Sequence, residues 1–277
     1  MWPGYRTTAN SSILNAYYTE PAIVDTVWDW LKTNGVDHGH GWEPGCGRGT
    51  WMSAAPDGCS MDGVDIDPIS VKVTGLLTGQ HTAVGNLEDW TLADSSRGNN
   101  GGYDFVAGNV PFSATKPGRN NPERHNLHNL AVMRAVEMLR PGGVAAVITS
   151  RYALDATTSQ RWREQLHKHV DLVAAFRLPS GTHKSAGTSV VTDLLILRRP
   201  AQGEQRPDAD WLSTTTFEIG GETYAHNTHF DTHPNRVLGV YVNRPGSVGG
   251  SSSWKRGWSH GKRDITGEAD NASVLGH

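Results

Sequence analysis

The sequence predicts an α/β protein with a doubly wound, mostly parallel sheet of seven strands and an antiparallel last strand. Short apolar segments alternate with amphipathic ones through residues 1–200, which is typical of strands joined by crossover helices. Glycines and acids follow the first two predicted strands, at the edge where open sheets of this kind bind ligands. The connection over residues 179–187 barely accommodates a crossover helix, so we expect the last two strands to pair antiparallel.

The predicted elements follow this alternation along the chain. The first helix begins at Pro21, with Thr19 placed to cap it, and apolar residues recur at helical spacing up to Leu31. A helix from about residue 122 to Leu139 is expected to stop at the segment RPGG, residues 140–143. The other predicted helices cover residues 50–55, 68–78 and 159–170. One predicted strand ends at residue 43, and the others cover residues 61–65, 81–86, 103–109, 143–150, 171–178 and 188–199.

The composition is that of a folded protein and excludes several classes. The 277 residues are 36% hydrophobic and include 32 glycines, which excludes disorder throughout the chain. No apolar run approaches about 18 residues, so we predict no transmembrane helix, and the first residues do not resemble a signal peptide. A net charge of −3 excludes a small basic protein that coats nucleic acid. Two cysteines exclude a disulfide framework and favour a reducing, cytoplasmic setting.

Three regions are predicted. Residues 1–200 form the α/β domain, residues 201–242 a small β-rich appendage with the hairpin TTTFEIGGETYAH, and residues 243–277 a flexible basic tail rich in glycine and serine. Within that tail, residues 251–263 contain four Lys or Arg and two Trp. Such a segment can contact nucleic acid or remain a solvated tail.

A glycine turn, residues 43–49 (EPGCGRG), joins the first predicted strand to the next helix. Glycines allow a tight turn and close approach of a ligand, which the amides of the helix then face. The next strand ends at Asp65, whose carboxylate can accept hydrogen bonds from ribose hydroxyls. Glu43 would repel a pyrophosphate, which argues against a nicotinamide cofactor. A glycine-rich turn without any ligand is the remaining structural alternative.

S-adenosylmethionine fits these residues, because it carries an ammonium, a sulfonium and a ribose but no phosphate. Glu43 suits the cationic end and Asp65 the ribose. Cys46 is expected to make a small contact in the turn, since no base partner for a cysteine nucleophile is evident, and Cys59 is expected in the core. The cofactor contacts predicted in the turn and at the end of the second strand are Glu43, Pro44, Gly45, Cys46, Gly47, Gly49, Asp65 and Ile66.

A second motif, Asn109-Val110-Pro111-Phe112, follows the buried strand YDFVAGN. It resembles the Asn/Asp/Ser-Pro-Pro-aromatic motif of the amino-methyltransferases. In such a motif the Asn oxygen and a backbone carbonyl accept the N–H bonds of an exocyclic amine and direct its lone pair at the methyl group. The aromatic ring stacks on the flipped base. Here Val110 supplies the carbonyl in place of the first proline, and Pro111 holds it extended.

The order of the segments extends this resemblance. Residues 15–21 (NAYYTEP) are similar to the segment that precedes the glycine turn in the γ-ordered N6-adenine DNA methyltransferases, where a Tyr-Thr pair packs over the cofactor. Asn86, with Asp89 as the alternative, follows the third strand, where that family contacts the adenine ring. The resemblance therefore adds Tyr18, Thr19, Asn86 and Asn109 to the predicted cofactor contacts. Residues 6–240 resemble the methylase module of methylase–helicase proteins of phages and mobile elements, some of them linked to protection from restriction.

This resemblance implies a Rossmann-like class I S-adenosylmethionine-dependent methyltransferase that methylates the N6 amine of a flipped adenine in DNA. Related turns also serve cytosine N4, RNA bases and protein glutamines, so these substrates remain open. About 77 residues follow the seventh strand, which is short for a target-recognition domain. Specificity is therefore expected to be low or to come from a helicase or specificity partner. Val110 and the short C-terminal region also leave open a non-catalytic accessory or anti-restriction subunit.

Two further groups of residues have a structural and a functional interpretation. His226, His229 and His233, with Asp231 between them, have a spacing that can bind a metal, but the favoured interpretation is a structural turn, and no metal site is predicted. The residues Arg119, Arg124 and His125 follow the Asn-Val-Pro-Phe turn and can contact phosphates or be loop charges.

Overall fold

The computed structural model describes residues 19–97, 101–111, 113, 115–118, 120–179, 182, 190–219, 222–241 and 258–259. The strands are β1 (His38–Pro44), β2 (Gly58–Asp65), β3 (His81–Val84), β4 (Tyr103–Asn109), β5 (Leu139–Ser150), β6 (Asp171–Leu178), β7 (Thr192–Arg198), β8 (Thr214–Ile219), β9 (Glu222–Asn227), β10 (Val240–Tyr241) and β11 (Trp258–Ser259). The α-helices are α1 (Pro21–Thr33), α2 (Thr50–Ser53), α3 (Pro68–Thr78), α4 (Leu127–Glu137), α5 (Tyr152–Asp155), α6 (Gln160–His167) and α7 (His229–Thr232).

Seven of these strands form one sheet in the order β3-β2-β1-β4-β5-β7-β6. The first five strands of this order pair in parallel, whereas β7 lies antiparallel between β5 and β6. The predicted α/β class, the seven strands and the antiparallel last strand are therefore confirmed. Because β1, β2 and β4 are adjacent and parallel, the loops after their carboxyl ends meet at one edge of the sheet.

Two apolar layers hold helices on opposite faces of the sheet. On one face, α1 buries Val24, Val27 and Trp28 against Met61 and Phe105. These positions have the 3-4 spacing that the sequence shows, and each full burial of such a side chain contributes about 1.5–3 kcal/mol.

On the other face of the sheet, Trp42 is fully buried between Trp90 and Tyr103. Its ring centroid lies 6.3 Å from that of Trp90 and 6.2 Å from that of Tyr103, with nearly parallel planes. This aromatic stack lies under the loop that follows β3.

Two boundary predictions were wrong. The helix predicted from about residue 122 begins only at Leu127, because the Asn121 side chain binds the backbone of His125 and Pro117 and holds the preceding residues in a loop. Helix α4 ends at Glu137, close to the predicted end, but the next strand begins earlier than predicted. The RPGG segment belongs to β5, where Leu139 pairs with Tyr103 and residues 142–143 exchange hydrogen bonds with Arg199.

The predicted cap of the first helix was also wrong. The N-cap residue of α1 is Glu20, which has an extended backbone, and no side chain caps the helix. Thr19 lies one residue earlier and is buried at 5% exposure. Its hydroxyl is therefore available for another purpose.

The hairpin β8–β9 lies where the sequence predicts it and is anchored on the sheet domain by Asn227. The backbone N–H of Asn227 donates to Asp155 at 3.0 Å, and its side-chain amide donates to the carbonyls of Leu154 and Trp211. Within the predicted tail, Trp258–Ser259 pairs with Val240–Tyr241, and the other tail residues lie outside the described part of the chain. Among the described residues, no helix is long and apolar enough to cross a membrane.

Candidate functional site

The loops after β1, β2 and β4 enclose a cavity of about 430 Å³ at the carboxyl edge of the sheet. This volume lies in the range of small-molecule and cofactor sites. The structure brings eleven of the predicted site residues to its walls: Thr19, Glu43, Gly45, Cys46, Gly47, Asp65, Ile66, Asn86, Asn109, Val110 and Pro111. Pro44 and Gly49 are not part of the lining, and Tyr18 and Phe112 lie outside the described residues.

The glycine turn needs its glycines for backbone conformation. Gly45, Gly47 and Gly49 have φ angles of 79°, 48° and 74°, a region that side chains disfavour. The N–H groups of Gly45 and Cys46 both donate to the carbonyl of Val64, which ties the turn to β2. A Cβ at Gly49 would lie 2.7 Å from a methyl of Thr74, so this glycine allows α2 and α3 to pack closely.

The turn also lies directly beside the Asn-Val-Pro-Phe motif. A Cβ built on Gly45 would contact the ring of Pro111 at 3.4 Å. The two motifs, 64 residues apart in the sequence (109 − 45), therefore line one cavity.

Asp65 is oriented by two backbone amides. Its Oδ2 accepts from the N–H of Gly47 at 2.9 Å and its Oδ1 from the N–H of Asp67 at 2.9 Å. Burial raises the pKa of this carboxyl, although these hydrogen bonds oppose the shift. Asp65 lines the cavity and each carboxylate oxygen has a further lone pair, so the carboxylate can accept hydrogen bonds from hydroxyls of a ligand.

Three buried polar atoms on the cavity walls have no partner among the described residues. They are the Oε2 atom of Glu43, the hydroxyl of Thr19 and the indole nitrogen of Trp51. Glu43 is 3% exposed, and burial raises its pKa well above its ordinary range, with the nearby Asp65 raising it further. Buried polar groups are normally hydrogen-bonded, so an acid and two donors without partners indicate a polar ligand with a cationic group.

The end of β4 presents Asn109 at the cavity, and the next residue is fixed by the sheet. The N–H of Val110 donates to the carbonyl of Ile148 at 3.0 Å, and its side chain, 1% exposed, packs in the apolar layer around Trp42. Valine in place of proline is thus accommodated by packing.

Cys46 lines the cavity as a buried thiol. Burial and the neighbouring carboxyls of Glu43 and Asp65 raise its pKa, which opposes formation of a thiolate. The structure therefore favours the predicted contact role over a nucleophile. Cys59 is only partly buried and packs at the edge of the apolar layer of α1.

The segment after β3 contains a lining residue that the sequence analysis missed. Asn86 lines the cavity at an exposed position, and the adjacent wall includes Glu88, 6% exposed, which accepts a hydrogen bond from the Asn86 side chain. Asp89, the alternative to Asn86, is not part of the lining. In the sequence, the only indication of a role for Glu88 was its position after the third strand, and Asn86 has the same indication.

Other missed lining residues share one signal, because they directly follow motifs that were recognised. Thr50 and Trp51 begin the helix after the glycine turn, and Thr115 and Pro117 follow the Asn-Val-Pro-Phe motif. The cavity wall therefore continues beyond Pro111 to Thr115 and Pro117.

The histidines of the appendage are arranged differently from the spacing motif. His226 pairs with Asp231, whereas His229 and His233 both lie at Asp210. Nε2 of His229 faces two donors, the Ala175 N–H and the Arg236 guanidinium, so the ring proton is on Nδ1 and donates to Asp210 at 2.9 Å. A metal on that nitrogen would require the opposite tautomer, so the arrangement favours a hydrogen-bonded structural cluster.

The loop residues Arg124 and His125 differ in their surroundings. Arg124 is exposed with a φ of 54°, and His125 is half-buried, which lowers its pKa and keeps the ring neutral. Neither residue lines the cavity. Arg119 lies outside the described residues.

The sheet order, the antiparallel β7 and the glycine turn after β1 define the class I S-adenosylmethionine-dependent methyltransferase fold. A Listeria monocytogenes protein described as such an enzyme superposes with a TM-score of 0.55 at 16% identity, over 69% of this chain and 63% of that one. The modification protein of the type I restriction enzyme EcoKI superposes with a TM-score of 0.53 at 20% identity, over 68% and 45%. A protein from Vibrio vulnificus described as a modification subunit of a type I restriction enzyme gives 0.53 at 16%, over 99% and 65%.

The chain is also similar in sequence to a particular phage protein. The "Defense against restriction protein B" of Escherichia phage P1 is 29% identical over 244 residues, which is 81% of this chain. The predicted resemblance to phage anti-restriction proteins is thereby confirmed. The chain spans only 11% of the length of that relative. No known family profile matches the chain.

Proposed function

We propose that the protein is an S-adenosylmethionine-dependent DNA methyltransferase that modifies the exocyclic N6 amine of a flipped adenine. The observation that carries the proposal is the buried carboxylate of Glu43, which lacks an ion-pair partner in the described chain and lies in a cavity that Asn109 also lines. A cationic cofactor supplies the positively charged partner of the Glu43 carboxylate. An amide at the end of the neighbouring strand supplies acceptors for an amine.

The cavity residues fit the parts of S-adenosylmethionine by charge and hydrogen bonding. Glu43 holds the ammonium, Asp65 the ribose hydroxyls, and the Thr19 hydroxyl and the Trp51 indole N–H are donors for the carboxylate. Ile66, 47% exposed, offers apolar surface for the adenine ring beside Asn86. When bound, the cofactor supplies a methyl group on a positively charged sulfur.

The residues at the end of β4 orient the substrate amine. The Asn109 side-chain oxygen and the Val110 carbonyl accept the two N–H bonds of the amine, which concentrates its lone pair on the side of the cofactor. Phe112, the next aromatic residue, stacks on the flipped base. Because alignment of the amine removes the need for a strong base, the high pKa of the buried Cys46 thiol fits a passive role.

DNA as the substrate is supported by the kinds of protein that this chain resembles. The EcoKI modification protein is named as part of a type I restriction enzyme, with the enzyme class number EC 2.1.1.72, and the phage relative is named for defence against restriction. By that similarity, we propose that a specificity or helicase partner supplies sequence recognition. Two free thiols, Cys46 and Cys59, are consistent with work in the cytoplasm.

The experiment is methyl transfer from labelled S-adenosylmethionine to unmethylated genomic DNA, followed by identification of the nucleosides by mass. We expect N6-methyladenine. The variant Asn109→Ala should lower transfer by at least about a thousandfold, while the affinity for S-adenosylmethionine stays within about threefold. The control Asn129→Ala removes a buried Asn of α4 outside the cavity lining and reports general damage to the fold. N4-methylcytosine, or equal losses of transfer and cofactor affinity in Asn109→Ala, would contradict the proposal.

A second candidate is a binding module without catalysis, which would fit an accessory role in the defence against restriction for which the phage relative is named. It predicts tight binding of S-adenosylmethionine with no methylated nucleoside on any DNA, with or without a partner. Turnover by the isolated chain would end this alternative.

A further inference from the structure

The cavity has two walls that belong to different parts of the chain. Residues 85–88, after β3, form the wall on the side of Asp65, and Thr115, Pro117 and Leu127 form the wall on the side of Asn109. Asn120 connects them. Its side-chain amide donates to the carbonyl of Glu88 at 3.1 Å and to Oδ1 of Asp89 at 3.1 Å.

The orientation of the Asn120 amide is determined by its partners. Both are oxygen acceptors, so only the NH₂ group can face them, and both of its hydrogens are used. One of the two acceptors is a carboxylate, which strengthens that hydrogen bond. The side chain is therefore a two-point clasp between segments 31 and 32 residues apart.

The loop over residues 120–125 is built to present this clasp. Asn120 has a φ of 48°, and it and Arg124 are the two non-glycine residues with positive φ in the described chain. Asparagine tolerates this conformation better than most residues. The next residue, Asn121, is buried and binds the carbonyls of Pro117 and His125 and the N–H of His125.

Hydrogen bonds within residues 115–127 connect Asn120 to the cavity wall on the substrate side. Asn121 holds Pro117, which lines the cavity, and the N–H of Leu127 donates to the carbonyl of Thr115 at 2.8 Å. Since Asn120 and Asn121 are adjacent in the chain, their side-chain hydrogen bonds connect Glu88 and Asp89 with Pro117 on the other wall of the cavity.

We propose that Asn120 is a positioning residue that couples the cofactor wall to the substrate wall, so that an occupied cofactor site fixes the pocket for the base. The inference rests on the proposed function for the identity of the two ligands. The mechanical link, the two hydrogen bonds of Asn120 with Glu88 and Asp89, is present in the free protein and does not depend on the proposed function. The two parts are therefore tested separately.

The mechanical link is tested by amide hydrogen exchange of the free protein. Asn120→Gly keeps the positive φ without strain but removes both hydrogen bonds, and Arg124→Gly is the matched control at the other positive-φ position. We expect the Glu88 and Asp89 amides to exchange about tenfold faster in Asn120→Gly and at the wild-type rate in Arg124→Gly. Wild-type exchange at both amides in Asn120→Gly would overturn the proposal.

The coupling is tested by adding S-adenosylhomocysteine. In the wild type it should slow exchange at Glu88 and Asp89 and also at Arg124 and His125. In Asn120→Gly the protection should stay at the first pair and be lost at the second. Protection of both pairs in the variant would overturn the coupling. If S-adenosylhomocysteine does not bind the wild type, the proposed function fails, and exchange of the free protein still decides the mechanical link.

The catalytic consequence appears as a split between kinetic parameters. For Asn120→Gly we expect kcat/KM for DNA to fall about tenfold, while KM for S-adenosylmethionine stays within about threefold. Asn120→Asp should be at least as poor, because a carboxylate would face two acceptors. A purely structural role would change both substrates alike and would contradict the assignment.

Discussion

Two buried carboxylates of the same sheet have opposite surroundings. Asp193 on β7 is fully buried, and Arg177 donates to both of its oxygens at 2.9 Å. The same guanidinium donates to Asp155 at 2.7 Å and stacks on the ring of Phe230. Glu43 on β1 is buried to a similar degree but has no ion-pair partner among the described residues.

The difference distinguishes charges that are paired within the fold from the Glu43 carboxylate, whose partner we expect to be a ligand. Burial of a charge is costly unless it is paired, and the Arg177 cluster supplies the pair from within the chain while holding Asn227 of the hairpin through Asp155. Around Glu43 the described chain supplies no cation, and burial raises the pKa of the carboxyl well above its ordinary range. Burial also raises the pKa of Asp193, but there the Arg177 guanidinium opposes the shift. An uncompensated acid at the carboxyl edge of the sheet is the pattern expected of a binding site.

The largest expected effect concerns the paired region. Arg177→Met leaves the buried Asp193 without its hydrogen-bonded cation, while Asp155 keeps its ion pair with Arg151 at 3.1 Å. The variant should lower the free energy of unfolding by about 3–5 kcal/mol, measured by chemical denaturation. The control is Arg140→Met, which breaks the partly exposed pair with Asp104 and should cost less than about 1 kcal/mol. Equal losses in the two variants would mean that the Arg177 cluster is not the structural centre described here.

A smaller effect is the pH dependence of cofactor affinity. A bound cation favours the ionised form of Glu43 and lowers its pKa, whereas burial raises that pKa in the free protein. Affinity for S-adenosylmethionine should therefore rise with pH, by up to about tenfold per pH unit, until the pH exceeds the pKa of Glu43 in the free protein. The slope is measured by calorimetric titration with S-adenosylmethionine at a series of pH values from about 5 to about 9, in steps of about half a unit.

The variant Glu43→Gln separates the contribution of Glu43 to this pH dependence from the contributions of other titratable groups. Burial also raises the pKa of Asp65, which remains in the variant. We expect the slope to become nearly flat in Glu43→Gln. A slope unchanged from the wild type would assign the titration to Asp65 or another group.

A still smaller effect is the change in stability of the free protein when Glu43 loses its charge. Because the folded-state pKa of Glu43 is raised, its ionisation costs stability as the pH rises from the unfolded value through the folded one. Glu43→Gln has no charge to bury and should unfold at pH 8 with a free energy equal to the wild type or up to about 1 kcal/mol larger. A clear loss of stability would show that Glu43 has a structural partner after all.

The smallest expected effect concerns Trp51. Trp51→Phe keeps the ring in the core but removes the indole N–H that has no partner in the described chain. We expect affinity for S-adenosylmethionine to fall about threefold, with no change in the melting temperature beyond about 2 °C. Unchanged affinity would place that N–H outside the ligand's reach.

The fold could be predicted because its signals are local. Alternation of apolar segments predicted the parallel sheet, and the short segment after β6 predicted the antiparallel β7. The helix start at Leu127 was missed because the bonds of the Asn121 side chain with His125 decide the boundary. Side-chain hydrogen bonds of this kind compete with helix formation and are not visible in periodicity.

The candidate site was predictable where backbone chemistry dictates residue type. The glycines of the turn and the acid ending β2 have such reasons, and they line or adjoin the cavity. Glu88, Trp51 and the Asn120 clasp depend on which way side chains face after folding. The pairing of His229 with Asp210, rather than with the nearby Asp231, likewise brings together residues that the sequence separates.

The central claim is that Glu43 binds the ammonium of the cofactor, and a double comparison of ligand and variant tests it most directly. Affinities of the wild type and Glu43→Gln are measured for S-adenosylmethionine and for 5′-methylthioadenosine, which lacks the amino-acid part. We predict that the variant loses about 10–100-fold in affinity for S-adenosylmethionine and less than about threefold for 5′-methylthioadenosine. Equal losses for both ligands, or no loss for either, would contradict the account.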